Sequence, residues 1–281
     1  NKQDITVIDL PGAYSLYQRR SDEWVSYKQL MSPVEGEQVD LAVVVVDATA
    51  LRRNLLFVSQ VIDLKIPVVV ALTMTDLAKK RGLHINTREL SREMQVPVVS
   101  VNARTGKGIE ELKATISQVL LNSFTAKDFF SVGSLAEGPI SEARAVLPNK
   151  SDYAIVHHLI NHEQFDISND IQDRIEQIEK KYGFNHTKIQ AEDIQQRYKR
   201  IREIIKKTVE EDSIEAKRMF SEKLDGFFLH RAWGSLIMGA VLFLLFQSVF
   251  WVAEYPMTAI EEGMSALTGY LSHLLPKTWY A

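Results

Sequence analysis

The stretch that decides the fold is PVVVALTMTD, residues 67–76. Its first half is apolar, largely β-branched and without alternation, as expected of a parallel strand buried on both faces. Its second half turns polar and ends on the carboxylate of Asp76. A carboxylate just past the C-terminal end of such a strand stands where open α/β sheets hold ligands.

Outward from this stretch, three similar runs occur: ITVI (5–8), LAVVVV (41–46) and PVVSV (97–101). Helical periods separate them. Leu51, Leu55, Val58 and Ile62 mark one apolar face, and Ile109, Leu112, Ile116 and Leu120 mark another after the Gly106-Lys107-Gly108 turn. Alternating strands and helices predict βαβ units and a doubly wound parallel sheet over residues 1–121.

Residues 122–225 change character. Strand-like runs stop, and Ile171, Ile175 and Ile178, then Tyr198, Ile201 and Ile205, keep a helical period among Glu, Gln, Lys and Arg. Gly183 and Asn185 mark a break between helices, and the charged residues are expected on solvated faces. An all-α region is therefore expected here.

Residues 226–281 are expected to begin a membrane region. AWGSLIMGAVLFLLFQSVFWVA (232–253) carries no charge and is long enough to cross a hydrocarbon core of about 30 Å. Trp233 and Trp251 lie near its ends, where interfacial aromatics belong. Lys217, Arg218, Lys223, His230 and Arg231 precede it, and Glu254, Glu261 and Glu262 follow. The positive-inside rule then places residues 1–231 in the cytoplasm. Gln247 should face protein or a polar path rather than lipid. The alternative for the run is a buried core helix; Glu254, Glu261 and Glu262 could guide cations near the membrane, with plain interfacial acids as the simpler expectation.

Composition excludes some chemistry. Without cysteine there is no disulfide framework, thiolate metal site or cysteine nucleophile among these 281 residues. A net charge of −3 gives no long-range reason to expect nucleic acid as a partner. Asn1 leads straight into a strand-like run, with neither a signal peptide nor an initiator methionine, so the chain is expected to begin inside a domain.

Three loops carry candidate chemistry. Asp9-Leu10-Pro11-Gly12 follows the first run. A carboxylate there can hold magnesium through water, and a glycine lets its N–H approach a γ-phosphate. The alternative is a simple strand-to-turn exit. Thr73-Met74-Thr75-Asp76 follows the third run. The Asp76 carboxylate can accept from N1–H and the exocyclic amino group of guanine, a donor pair that adenine lacks. The alternative is that Asp76 caps the next helix. Asn102-Ala103-Arg104 follows the fourth run and continues into Thr105-Gly106-Lys107-Gly108. The Ala103 N–H can donate to guanine O6, or the segment is an ordinary strand-to-helix loop. All three loops fall in order after predicted strands.

No G-x-x-x-x-G-K-[ST] occurs in the sequence, so a phosphate-cradling loop is expected before Asn1, and weak or undetectable GTP hydrolysis is expected of residues 1–281 alone. Ala13 stands where a water-positioning Gln would sit beside Gly12, which predicts slow hydrolysis even with such a loop in place. His157, His158, His162 and Glu163 could hold ferrous iron, but a surface helix with incidental histidines is the simpler expectation.

With these residues in view, the sequence resembles the bacterial ferrous iron transporter B family, FeoB. The resemblance rests on ITVIDLPGAYSL (5–16), VVDATALRRNL (45–55), IPVVVALTMTD (66–76) and the Asn102–Gly108 loop, with AEDIQQRYKRIREII (191–205) and LDGFFLHRAWG (224–234) matching later regions. It implies a cytoplasmic GTP-binding domain using GTP or GDP and Mg2+, a helical domain that influences nucleotide release, and a multi-pass inner-membrane pore for Fe2+. Possible partners are the bilayer, the remaining membrane helices and further copies of the chain. By position, Asp9 and Gly12 carry over as magnesium and γ-phosphate residues, and Thr73, Asp76 and Ala103 as the guanine site. Thr73 departs from the family's Asn, and a hydroxyl cannot reproduce an amide's paired donor and acceptor. A degenerate membrane-tethered nucleotide-binding interaction module without transport is the alternative; a soluble ribosome-associated GTPase conflicts with the 232–253 run.

Overall fold

The structure, a computed structural model, describes residues 5–17, 23–31, 39–122, 127–212, 228, 230 and 233–274. It divides into two compact units, residues 1–212 and 213–281.

The first unit is built on three parallel strands, β1 (Ala42–Asp47), β2 (Val68–Thr73) and β4 (Val98–Ser100), in the order β1-β2-β4. The register pairs Asp47 with Thr73 and Leu72 with Ser100, so the three C-terminal ends lie together. A helix follows each strand: α2 (Leu51–Asp63), α3 (Thr75–Lys80) and α5 (Ile109–Leu121), with α4 (Thr87–Met94) preceding β4. The predicted parallel sheet is present, and three of its four predicted strands are in place.

The fourth is not. Residues 5–8 form no strand, and Val7 is 84% exposed. The run has the side chains of a strand, but extended backbone is stable only when its N–H and C=O groups find a ladder, and among the described residues none pairs with it. The outer edge of β1 is likewise open, and Val45 on that strand is 64% exposed.

One sheet face is closed as the periodicity predicts. Leu51, Leu55, Val58 and Ile62 of α2 are all buried against Val44, Val46, Val70 and Leu72. Each such side chain contributes about 1.5–3 kcal/mol. On the other face, Ile109 and Leu112 of α5 pack on Ala71, Val99 and Val101. The predicted α5 face is only half used: Leu120 is exposed, and Val119 is the buried residue near that end. The helix covers β2 and β4 and leaves the outer face of β1 open.

The later helices of this unit are α6 (Gly133–Val146), α7 (Asp152–Asn161), α8 (Asn169–Tyr182) and α9 (His186–Thr208). Gly183 ends α8 in the left-handed conformation and the Asn185 side chain caps α9 by accepting from the Lys188 N–H, which realises the predicted break. These helices are continuous with the sheet's packing. Ile201 and Ile204 of α9 join the core under α2, while Leu16 and, from α1 (Glu23–Met31), Tyr27 and Met31 pack among α6, α7 and α8. A short antiparallel pair, β3 (Leu83–Ile85) with β5 (Val209–Glu211), joins the end of α9 to the segment after α3.

The second unit contains α10 (Trp233–Leu274), 42 residues long. At 1.5 Å per residue it spans about 63 Å, roughly twice a hydrocarbon core. The uncharged run 232–253 thus feeds a helix that continues past Pro256, Glu261 and Glu262. The described side chains between Leu236 and Leu271 include a long series of exposed apolar groups, which fits lipid contact better than the buried-core alternative. By length and composition the helix can cross a membrane. Lys217, Arg218, Lys223 and Arg231, and the side chains of Trp233, Trp251 and Glu254, lie outside the described residues.

Candidate functional site

The C-terminal edge of the sheet presents two neighbouring loops. At the end of β2, Thr73 turns its hydroxyl back and donates to the Val46 carbonyl at 3.1 Å, fastening the tips of β2 and β1. Met74 then takes a left-handed conformation, φ 56°, which reverses the chain into α3. Non-glycine residues rarely adopt that region, so this turn is held by its surroundings.

Met74 is the N-cap of α3, and Asp76 lies inside its first turn. The capping alternative for Asp76 therefore falls. Its carboxylate is exposed, and among the described residues it has no hydrogen-bond partner. Thr75 Oγ1 lies 3.2 Å from Ser100 Oγ, which joins this loop to the end of β4.

The second loop shapes itself. Asn102 Oδ1 accepts from the Arg104 N–H at 3.1 Å and the Thr105 N–H at 3.2 Å. The Asn102 N–H donates to the Lys107 carbonyl at 2.9 Å and closes the turn. Asn102 is thus a loop former whose amide is spent on the backbone. Ala103 and Arg104 are exposed at the tip. Gly108, at φ 83°, leads into α5 where a side chain would collide with the Ser100 carbonyl.

Asp47 also belongs to this edge. It is aligned with Thr73, and its carboxylate accepts from the N–H and hydroxyl of Thr49 at 2.7 and 2.8 Å, so it organises the turn into α2. It lies within VVDATALRRNL, but a lone carboxylate there gave no chemical signal of its own.

Asp9-Leu10-Pro11-Gly12 is placed differently. Asp9 is exposed, the Pro11 carbonyl accepts from Ser26 Oγ at 2.6 Å, and nothing approaches the side-chain position of Gly12 within 4 Å. No contact links this segment to the other two loops among the described residues. It leads to Tyr14, whose ring lies under the guanidinium of Arg53 at 3.7 Å, near the start of α2. The structure therefore sets Thr73–Asp76 and Asn102–Arg104 at neighbouring strand ends joined through Thr75 and Ser100, and among the described residues it does not bring Asp9–Gly12 into contact with either.

The histidines are neither surface residues nor a metal site. His157, His158 and His162 are all buried, because α7 is enclosed by neighbouring elements. His157 Nδ1 lies 3.2 Å from the Tyr27 hydroxyl, and the His158 ring stacks on Phe165 at 4.3 Å. Burial, with a smaller contribution from Arg197, lowers the His157 pKa to about 3. Burial lowers that of His158 to about 4. Glu163 is exposed, and no group of three His, Asp or Glu able to hold a metal occurs among the described residues.

The charged face expected of α9 hides a buried exception. Arg197 is 0% exposed and joins two carboxylates, Asp63 at 2.7 Å and Asp193 at 2.8 Å. Asp193 also accepts from the hydroxyls of Tyr17 at 3.0 Å and Tyr153 at 3.2 Å. Asp63 accepts from the N–H groups of Phe129 and Phe130. The i, i+4 spacing of Asp193 and Arg197 was visible in AEDIQQRYKR, but so many charges surround it that nothing marked this pair as internal.

Comparison with known proteins agrees with this architecture. A family model described as ferrous iron transport protein B matches residues 1–116. The Fe(2+) transporter FeoB of Leptospira biflexa is 29% identical over 97% of this chain, and that of Staphylococcus aureus strain MSSA476 is 26% identical over 94%. The chain spans about 40% of the length of each. Among solved structures, the cytosolic domain of L. pneumophila FeoB superposes with a TM-score of 0.59 at 23% identity, covering 72% of this chain and 79% of that one. The mGMPPNP-bound NFeoB of S. thermophilus gives 0.54 at 26% identity, covering 73% and 79%. The sheet, the helices packed on it and these matches make the chain similar to the ferrous iron transport protein B family, most specifically over residues 1–116.

Proposed function

We propose that this chain is the guanine-nucleotide-binding cytoplasmic part, and the first membrane stretch, of a ferrous iron transporter whose iron uptake is regulated by GTP binding and hydrolysis. One observation carries the reading: the free carboxylate of Asp76 stands in a loop joined, through Thr75 and Ser100, to the end of the strand that leads into Asn102–Gly108, at the C-terminal edge of a parallel sheet. Such a carboxylate reads guanine by two hydrogen bonds, with the exposed Ala103 N–H facing O6. Leu10 and Pro11 carry Asp9 and Gly12 toward the γ-phosphate, where Asp9 would hold Mg2+ through water. The ion would neutralise phosphate charge. Residues 1–121 form the nucleotide portion, 122–225 the helical regulatory portion and 226–281 the start of the membrane portion, with 1–231 on the cytoplasmic side of a bacterial inner membrane.

A second reading, a membrane-tethered module without transport, draws on Thr73, whose hydroxyl is committed to Val46 and is not an amide. GTP-dependent uptake of Fe2+ by the full-length protein separates the two, and calorimetry tests the guanine site on which the first rests. GDP binding that ADP does not match, and that Asp76→Ala weakens at least about tenfold, supports the first. Equal binding of GDP and ADP, or no change in Asp76→Ala, removes it. For the membrane portion, Leu244→Arg should reduce recovery in the membrane fraction, since a mid-span arginine costs about 2.5–3.5 kcal/mol on insertion; unchanged recovery would count against a span there.

A further inference from the structure

The nine residues from Asp9 to Tyr17 are held by three hydrogen bonds, and between them the Tyr14 ring lies under the Arg53 guanidinium. Near the start, the Pro11 carbonyl accepts from Ser26. At the far end, the Leu16 N–H donates to Gln60 Oε1 of α2 at 2.8 Å, and the Tyr17 hydroxyl donates to Asp193 of α9 at 3.0 Å. Leu16 and Tyr17 are both buried, whereas Gly12 has open space around it.

Tyr17 is more than a packed ring. Its ring stacks on His157 at 4.8 Å, and its hydroxyl reaches a carboxylate that is already fixed by Arg197 and Tyr153. Arg197 in turn donates to the Ser59 carbonyl at 2.9 Å and pairs with Asp63, both on α2. The tyrosine is thereby bolted to a rigid node shared by α2, α7 and α9. Burial, then the nearby Asp193 charge, raises the Tyr17 pKa well above its ordinary value, so the hydroxyl keeps the proton it donates.

We propose that Tyr17 is a positioning residue, holding the Asp9–Gly12 segment at a fixed distance from α9 through its hydrogen bond to Asp193. This rests on the reading of Asp9–Gly12 as the phosphate-facing part of a nucleotide site. With Leu16 and Tyr17 clamped, a displacement at Gly12 must be taken up within residues 12–15. A displacement of α9 moves the anchor and, with it, the Leu16–Tyr17 end of the segment. Nucleotide contacts and the helical region then meet at one hydroxyl.

Tyr153 supplies the control. It donates to the same carboxylate as Tyr17 and its hydroxyl meets that of Tyr17, but it belongs to α7 and not to the Asp9–Tyr17 segment. In the full-length protein, Tyr17→Phe should speed release of a fluorescent GDP analogue roughly tenfold, the scale of one hydrogen bond to a charged group. Tyr153→Phe should leave release unchanged while lowering the melting temperature by a similar amount. Equal effects of the two variants on release, or no effect of Tyr17→Phe, would overturn the proposal. Amide hydrogen exchange of the unmodified protein decides the anchor without a variant. Leu16 should be protected and residues 12–15 should exchange fast; comparable rates on both sides would refute it. If Asp76→Ala leaves GDP binding unchanged, the nucleotide-site reading fails separately, and the exchange pattern still decides whether Tyr17 is an anchor.

Discussion

The Thr73 hydroxyl donates to the Val46 carbonyl, so the loop that offers Asp76 is tied to β1 by a side-chain bond. Removing only that bond with Thr73→Val should cost about 1 kcal/mol of stability and loosen the Met74 turn. Thr73→Asn places an amide, donor and acceptor together, at the head of the loop. In the full-length protein it should tighten GDP binding, measured by calorimetry. Unchanged or weaker affinity would count against Asp76 as the base-reading residue.

Gly108 tests the companion loop. A β-carbon there would run into the Ser100 carbonyl oxygen, which is backbone and cannot swing away, and φ is 83°. Gly108→Ala therefore adds overpacking of about 1–3 kcal/mol to the strain of a left-handed alanine. The melting temperature should fall by several degrees, since about 1 kcal/mol shifts a domain of this size by about 2–4 °C. The neighbouring Gly106 also has positive φ but nothing within 4 Å of its side-chain position. Gly106→Ala should be milder, and a reversed order would contradict the crowding argument.

Arg197 should be among the most sensitive positions in the first unit. It is the cation between Asp63 and Asp193, and all three are buried. Arg197→Met leaves two carboxylates in the core facing each other's charge. Breaking a buried pair by removing one partner costs about 3–5 kcal/mol. Urea unfolding of residues 1–212 should show a loss of that order. A loss below about 1 kcal/mol would mean that water or another cation replaces the guanidinium.

Much of the fold was legible because its signals are local. The β-branched runs at 41–46, 67–72 and 97–101 carry their burial in their own composition, and Leu51, Leu55, Val58 and Ile62 fall on one helical face. ITVI at 5–8 looked the same and did not join the sheet, because pairing depends on a partner that side-chain type does not reveal. The histidines of α7 were misread for a related reason. Polar residues on a central helix are buried by what surrounds the helix, and no pattern within residues 152–161 records that enclosure. Asp76 and Ala103 could be placed from strand-end positions alone. Met74 as the N-cap of α3 could not, since a left-handed methionine contradicts its own preference.

The buried histidines set a pH dependence whose sign can be worked out. Unfolded, His157 and His158 titrate near 6.5; folded, their pKa values fall to about 3 and about 4, chiefly through burial. Above pH 6.5 both states are neutral and the groups cost nothing. Below it the unfolded chain takes up protons that the folded chain refuses, so stability falls with pH until the folded values are reached. Each group contributes a slope of about 1.4 kcal/mol per pH unit. Asp63 and Asp193 work in the opposite sense. Burial raises their folded pKa values against the pull of Arg197, so their contribution is present at low pH and lost as pH rises. Between pH 6.5 and 5 the histidines should dominate, and the unfolding free energy of residues 1–212, measured with urea, should drop by an amount on the order of 2–4 kcal/mol. Replacing His158 with Gln should flatten that slope by about one proton, because one of the two refusing groups is gone. A slope unaltered by the substitution would show that His158 is protonated in the folded state, contrary to its burial against Phe165.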